Sequence, residues 1–176
     1  LENIYISNEK LEEKVMENIF IENDEIILKN DVSIEIIKGY MVDVIFNNLK
    51  EKYKNFVINF GDIRILEKRE FLLEDPLDEN KFIKIEIENL ALASSGSNKR
   101  KTKKHHLIDA KTKSKNDIIV YVTHKLASFA DTFATTLFVS PINISLEILE
   151  NFSLEAMIIT KSEIYKSKNF NFINQF

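Results

Sequence analysis

A chain of 176 residues fits one ordinary domain, and its 44% apolar and 30% charged residues exclude a disordered polymer. The net charge of −4 argues against a general nucleic-acid binder, and the lack of cysteine excludes disulfide and thiolate chemistry. No apolar run nears the roughly 20 residues that a membrane-spanning helix needs.

At the amino end, Ser7-Asn8 precedes a run with Leu11, Val15, Met16 and Ile19 at the spacing of a capped amphipathic helix. Glu25 to Leu28 is a short strand candidate. From Ile34 to Leu49 the apolar positions Ile37, Tyr40, Met41, Val44, Ile45 and Leu49 recur every three or four residues and predict a helix. Phe56 to Phe60 is rich in strand formers and ends at the turn signal Gly61-Asp62, after which Ile63 to Leu66 resumes the sheet. Phe82 to Glu88 alternates strictly, as a half-buried strand does. Ser94 to Asn98 reads as a polar turn leading into a basic stretch through Lys104. Ile118 to Val122 is a further strand. A helix over Ser128–Val139 stops before Pro141, and another follows from Ile142 to Glu150. Ala156 to Thr160 and Glu163 to Tyr165 close the pattern as a hairpin around Lys161-Ser162. Strands and helices mix without a βαβ repeat, so the fold class is α+β.

Four stretches could carry chemistry. On the predicted helix around residue 131, Asp131 and Thr135 lie four apart and therefore one above the other on a single face. A carboxylate and a hydroxyl so stacked suit Mg²⁺, which takes oxygen ligands and completes its shell with water and substrate phosphates. The plain alternative is a solvated stripe beside the apolar face. His106 stands three residues before Asp109 at the end of an apolar strand, and an imidazole can act as a base near neutral pH; the alternative is a surface histidine pair, His105 and His106, trailing a basic loop. Lys38-Gly39 interrupts a helical pattern where glycine costs about 1 kcal/mol relative to alanine. Close backbone approach to a phosphate would explain it, and so would a tight packing contact. The basic run Lys99-Arg100-Lys101 through Lys104 lacks interleaved aromatics for base stacking and reads as a solvated tip, so no nucleic-acid partner is expected.

Taken in order, these stretches carry more. Lys38-Gly39-Tyr40 through Asp43, Asn59 with Gly61-Asp62-Ile63, Glu74-Asp75-Pro76, Ala91 through Gly96, His106-Leu107-Ile108-Asp109, Ala130-Asp131 with Ala134-Thr135 and Leu137-Phe138-Val139, then Tyr165 and Ser167, resemble the pattern of the ApbE flavin transferase family. There the corresponding stretches read roughly KGYAVD, N-x-GGDI, DP, A-x-ATSG, HIIDPRTG and AD-x-xATALFV. The resemblance implies an ApbE-like (T-fold-like) mixed sheet with packed helices, in a single domain over 1–176 that lacks much of the family's amino-terminal portion. It also implies a Mg²⁺-dependent FAD:protein FMN transferase, which splits FAD, moves FMN onto a threonine of a target flavoprotein and releases AMP. By the same likeness Asp131 and Thr135 would be metal ligands, helped by a backbone carbonyl just before Lys38. His106 would be the catalytic base or orienting group, and Lys38, Gly39, Ser95, Gly96 and Asp109 would lie near the dinucleotide. Family members are typically exported, which implies the cell envelope. The chain departs from the pattern at Ile34 to Ile37, at the single Gly61, and at Ala110 and Lys113, which stand for proline and glycine. These departures leave a second expectation open: a degenerate relative that binds a nucleotide, a metal or a partner without turnover.

Overall fold

The computed structural model describes residues 19–22, 25–28, 37–75, 82–96, 118–170 and 172–175. Strands β1 (Ile19–Glu22) and β2 (Glu25–Leu28) form a ribbon, and helix α1 (Ile37–Leu49) follows. Next come β3 (Val57–Asn59), β4 (Ile63–Ile65), β5 (Arg69–Glu74), β6 (Phe82–Ile87) and β7 (Ala91–Gly96). The chain continues through β8 (Ile119–His124), α2 (Ala127–Val139), α3 (Ile142–Asn151), β9 (Glu155–Ile159), β10 (Ile164–Lys166) and β11 (Phe172–Gln175). Six strands make the central sheet in the order β10-β9-β8-β7-β4-β3, and β11-β6-β5 make a second sheet. Every pairing among the described strands is antiparallel. The α+β class with packed helices is therefore what the chain adopts.

Strand alternation sorts the central side chains onto two faces. Ala91, Ala93, Val120, Val122, Ala156 and Ile158 face the helices, where they meet Val42 and Phe46 of α1 and Ala130, Ala134, Leu137 and Phe138 of α2. Leu92, Ile119, Tyr121, Met157 and Ile159 point the other way, onto Leu73, Ile83, Ile85 and Ile87 of the second sheet. The result is three layers: helices, central sheet, small sheet. Alanines on both β7 and α2 let the helix settle close to the strand, which brings polar side chains at the same level within reach of each other. Each fully buried Leu, Ile or Phe side chain contributes about 1.5–3 kcal/mol, so both faces of the central sheet are firmly held.

Several expected elements stand with small changes of boundary. The expected helix over residues 34–49 begins at Ile37 among the described residues, and the one before Pro141 begins at Ala127. The Lys161-Ser162 hairpin is present as β9 and β10. Ser94 and Ser95 are not in a turn: they belong to β7, paired with Tyr121 and Val120, and Gly96 pairs with Ile119. Polar composition suggested a loop, but pairing with β8 along this stretch gives the backbone a strand's hydrogen bonds instead. Ile19 opens a strand rather than closing a helix, and the remainder of that expected helix lies outside the described residues. β5 and β11 were not expected from the sequence. β5 shows why: in Arg69-Glu70-Phe71-Leu72-Leu73-Glu74 the apolar residues do not alternate, and only Leu73 is buried. Among the described residues no helix is long and apolar enough to cross a membrane.

Candidate active site at the α1–α2 contact

Two carboxylates tie α1 to α2, and each serves the first turn of the other helix. Asp43 on α1 accepts the backbone N–H of Ala127 at 2.7 Å through Oδ1, and through Oδ2 that of Ser128 at 2.9 Å. The Ser128 hydroxyl donates to the same Oδ2 at 2.6 Å. Leu126, just ahead of α2, brings no capping side chain, so Asp43 supplies the cap from a different helix. A negative charge at a helix amino terminus also opposes the macrodipole favourably. In return, Asp131 on α2 accepts the N–H of Gly39, in the first turn of α1, at 3.3 Å through Oδ2. Both carboxylates are buried, Asp43 at 8% and Asp131 at 4% exposure.

Gly39 is the residue that allows this approach. A Cβ there would lie 2.6 Å from the carbonyl oxygen of Ala127 and 2.7 Å from the Cα of Ser128. The packing explanation for a glycine inside α1 is therefore realised.

The hydroxyls of α2 divide into two kinds. Thr132 and Thr136 donate back to the carbonyls of Ser128 and Thr132 at 2.7 and 2.8 Å, the usual way for threonine within a helix. Thr135 instead meets the hydroxyl of Ser95 on β7, Oγ1 to Oγ at 3.3 Å. Asp131 and Thr135 occupy one face of α2, and Ser95 joins them from the strand beneath. Three oxygen-bearing side chains thus gather at the boundary between helix layer and sheet. All the donors are hard oxygen, one of them a carboxylate, which suits Mg²⁺ rather than a softer metal. No group of three or more His, Cys, Asp or Glu that could hold a metal exists among the described residues.

Further charged groups lie on the neighbouring elements, two of them, Asp62 and Arg64, buried. Lys38 Nζ stands 3.7 Å from Asp62 Oδ2, whose carboxylate is nearly fully buried. Asp62 is placed by the three-residue turn between β3 and β4. There Gly61 has φ +93°, its N–H donates to Asn59 Oδ1 at 3.0 Å, and the N–H of Phe60 donates to the carbonyl of Asp62 at 3.1 Å. Only glycine takes such a φ at little cost, so the one glycine retained in this turn has a backbone reason. Arg64 lies over the Phe46 ring at 3.7 Å, donates to Asn89 Oδ1 at 2.8 Å and reaches the carbonyl of Ile65. Burial lowers its guanidinium to about 10, with the Asp43 charge acting in the opposite sense, so it stays cationic at neutral pH.

On the opposite face of the central sheet is a cleft of about 170 Å³, whose lining includes Gly61, Phe71, Leu73, Glu74, Ser94 and Tyr121. The Tyr121 hydroxyl donates to the carbonyl of Glu74 at 3.0 Å. Burial, reinforced by the Glu74 and Asp75 carboxylates, pushes its phenol well above the ordinary value near 10. A phenol raised in the folded state stabilises the fold below the unfolded pKa and loses that contribution as pH climbs through the folded one. Tyr121→Phe should therefore cost about 0.5–1.5 kcal/mol at neutral pH through its lost hydrogen bond. It should also flatten the fall in stability above roughly pH 10, by up to about 1.4 kcal/mol per pH unit. Urea titrations from pH 8 to 11 on both proteins test this, and parallel curves would show that the phenol is not the group responsible.

Of the residues expected at a site, Gly39, Asp131, Thr135 and Ser95 come together. Lys38 flanks them beside Asp62. Gly96 ends β7, where an added Cβ would meet Ile119 Cγ1 at 2.6 Å, so its missing side chain is already used in packing. His106 and Asp109, with His105 and the basic run 99–104, lie outside the described residues. Two contributors were not foreseen. Asp43 was visible only as part of a motif, and its partners are 84 and 85 residues away. The buried Arg64 sits in a strand of three residues, too short for periodicity to flag it.

Comparison with known proteins bears on the fold and the family. Solved structures that share the fold include three ApbE proteins. The flavin transferase ApbE of Vibrio cholerae is 23% identical, with a TM-score of 0.72 over 90% of this chain and 59% of that one. The apo flavinyl transferase ApbE of Pseudomonas stutzeri is 17% identical, with a TM-score of 0.70 over 88% and 55%. The ApbE protein of Thermotoga maritima is 21% identical, with a TM-score of 0.69 over 88% and 58%. The chain thus spans less than two-thirds of the length of each. No curated protein sequence matches it. The profile of the ApbE family matches residues 8–158, most of the sequence, and the chain belongs to the ApbE family.

Proposed function

We propose that this chain carries the metal- and phosphate-binding part of a Mg²⁺-dependent FAD:protein FMN transferase. In the reaction, a threonine hydroxyl of a target flavoprotein forms a bond to the FMN phosphorus of FAD. The pyrophosphate bond breaks, AMP leaves, and the hydroxyl proton passes to a base, for which His106 is the candidate by family resemblance. The observation that carries the reading is Thr135: unlike its helical neighbours it turns its hydroxyl out of α2 toward Ser95, one turn from the buried Asp131 carboxylate. Asp131 and Thr135 would hold Mg²⁺, with Ser95 beside them. The ion would neutralise phosphate charge that shifts during cleavage. Lys38, half exposed next to Asp62, is within the same neighbourhood and suits a phosphate oxygen. The target flavoprotein is the macromolecular partner, and the cell envelope is the compartment that the family suggests.

The test is direct. The chain is mixed with FAD, Mg²⁺ and a flavoprotein domain bearing the acceptor threonine, and intact-mass spectrometry and AMP release are followed. One FMN per target with equal AMP is expected; neither product would overturn the reading. One observation favours a second reading, a relative that binds without turnover: the sequence departs from the family pattern at Ile34 to Ile37, Ala110 and Lys113. That reading predicts no adduct, but stabilisation by FAD or Mg²⁺ of about 2.7 kcal/mol at a hundredfold excess over Kd.

A further inference from the structure

We infer that Asp43 is a positioning residue for the oxygen site on α2, an inference that rests on Asp131 and Thr135 taking Mg²⁺. Both oxygens of Asp43 are engaged. Oδ1 accepts one amide and Oδ2 accepts an amide and a hydroxyl, all from Ala127 and Ser128. Asp131 follows Ala127 by four residues, so these bonds fix the turn of α2 immediately before the carboxylate that would bind the ion. The same carboxylate is held in return by the Gly39 N–H of α1. One helix therefore sets both the axial position of α2 and the rotation of its Asp131 side chain. Mg²⁺ demands near-ideal octahedral geometry at about 2.0–2.1 Å and tolerates displaced ligands poorly. Residues that orient metal ligands without touching the metal commonly matter by about 10–100-fold in affinity.

Asparagine at this position keeps the shape but offers one acceptor oxygen in place of two. Its amide N–H₂ would face an amide donor of α2, so one bond becomes a repulsion and the helix must shift or turn. Ser128→Ala is the milder change, removing only the hydroxyl contact at 2.6 Å. Ile158→Val, on β9 in the same hydrophobic layer, loosens the core without removing any hydrogen bond of the cap.

The experiment is calorimetric titration of Mg²⁺ into the full chain and the three variants, each below its own thermal transition and with its circular dichroism unchanged. Asp43→Asn should weaken Mg²⁺ by about tenfold or more. Ser128→Ala should move the affinity in the same direction by less, while Ile158→Val lowers the Tm and leaves the affinity alone. If Asp43→Asn lowers the Tm but keeps the unaltered affinity, the residue is a structural cap only and the inference is overturned. Should Asp43→Asn fail to fold, Ser128→Ala decides, an unchanged affinity refuting the inference and a weakened one supporting it. No Mg²⁺ binding by the unaltered chain would remove the metal site itself, and this inference with it.

Discussion

Asp131→Asn should lower FMN transfer at least about a hundredfold at limiting Mg²⁺, a loss of roughly 2.7 kcal/mol in transition-state stabilisation. The substitution isolates charge from structure. Asparagine has nearly the same volume, and its carbonyl oxygen still accepts the Gly39 N–H that Asp131 Oδ2 accepts at 3.3 Å. What disappears is the anionic oxygen, the only carboxylate among the three donors gathered at Asp131, Thr135 and Ser95. At 4% exposure water cannot screen that charge effectively, so its attraction for a cation is stronger than a surface carboxylate would exert. Initial rates of AMP release across a Mg²⁺ series should show the midpoint moved to higher concentration, with part of the rate recovered there. An unchanged midpoint would mean that Asp131 is only a helix tie.

Gly39→Ala should destabilise the fold by about 1–3 kcal/mol, against the direction that helix propensity favours. Alanine inside a helix is better than glycine by about 1 kcal/mol. Here the added methyl would stand 2.6 Å from the carbonyl oxygen of Ala127, 2.7 Å from the Cα of Ser128 and 2.8 Å from the Ala127 carbonyl carbon. All three are backbone atoms of α2 and cannot rotate aside. The helices must part instead, which stretches the Asp43 cap and the Gly39–Asp131 bond together. A loss of this size corresponds to a fall in Tm of about 2–4 °C per kcal/mol for a chain of this length. Urea denaturation measures the cost. A variant more stable than the parent would show that the α1–α2 contact is looser than these distances require.

Much of the fold was legible because its strongest signals are local. Strict alternation marked β6, helical spacing marked α1, and Pro141 fixed the end of α2. β7 misled because Ser94, Ser95 and Gly96 have loop composition, yet β8 pairs with all three and holds them in the sheet. β5 lacks alternation: only its Leu73 is buried, while its partner β6 buries Ile83, Ile85 and Ile87. At the site, spacing alone picked out Asp131 and Thr135, since one helix carries both. Spacing could not give the roles of Ser95 and Asp43, which depend on how β7 and α1 come to lie against α2. That arrangement is set by alanine-rich packing and one glycine, and neither has a chemical signature of its own.

β7 acts as a partition. Its neighbouring serines look in opposite directions, Ser95 toward Thr135 and Ser94 into the cleft beside Tyr121. Two chemically identical alcohols thus inhabit separate compartments, and replacing either leaves the surroundings of the other intact. Any single molecule in touch with both would have to pass around β7 rather than through it.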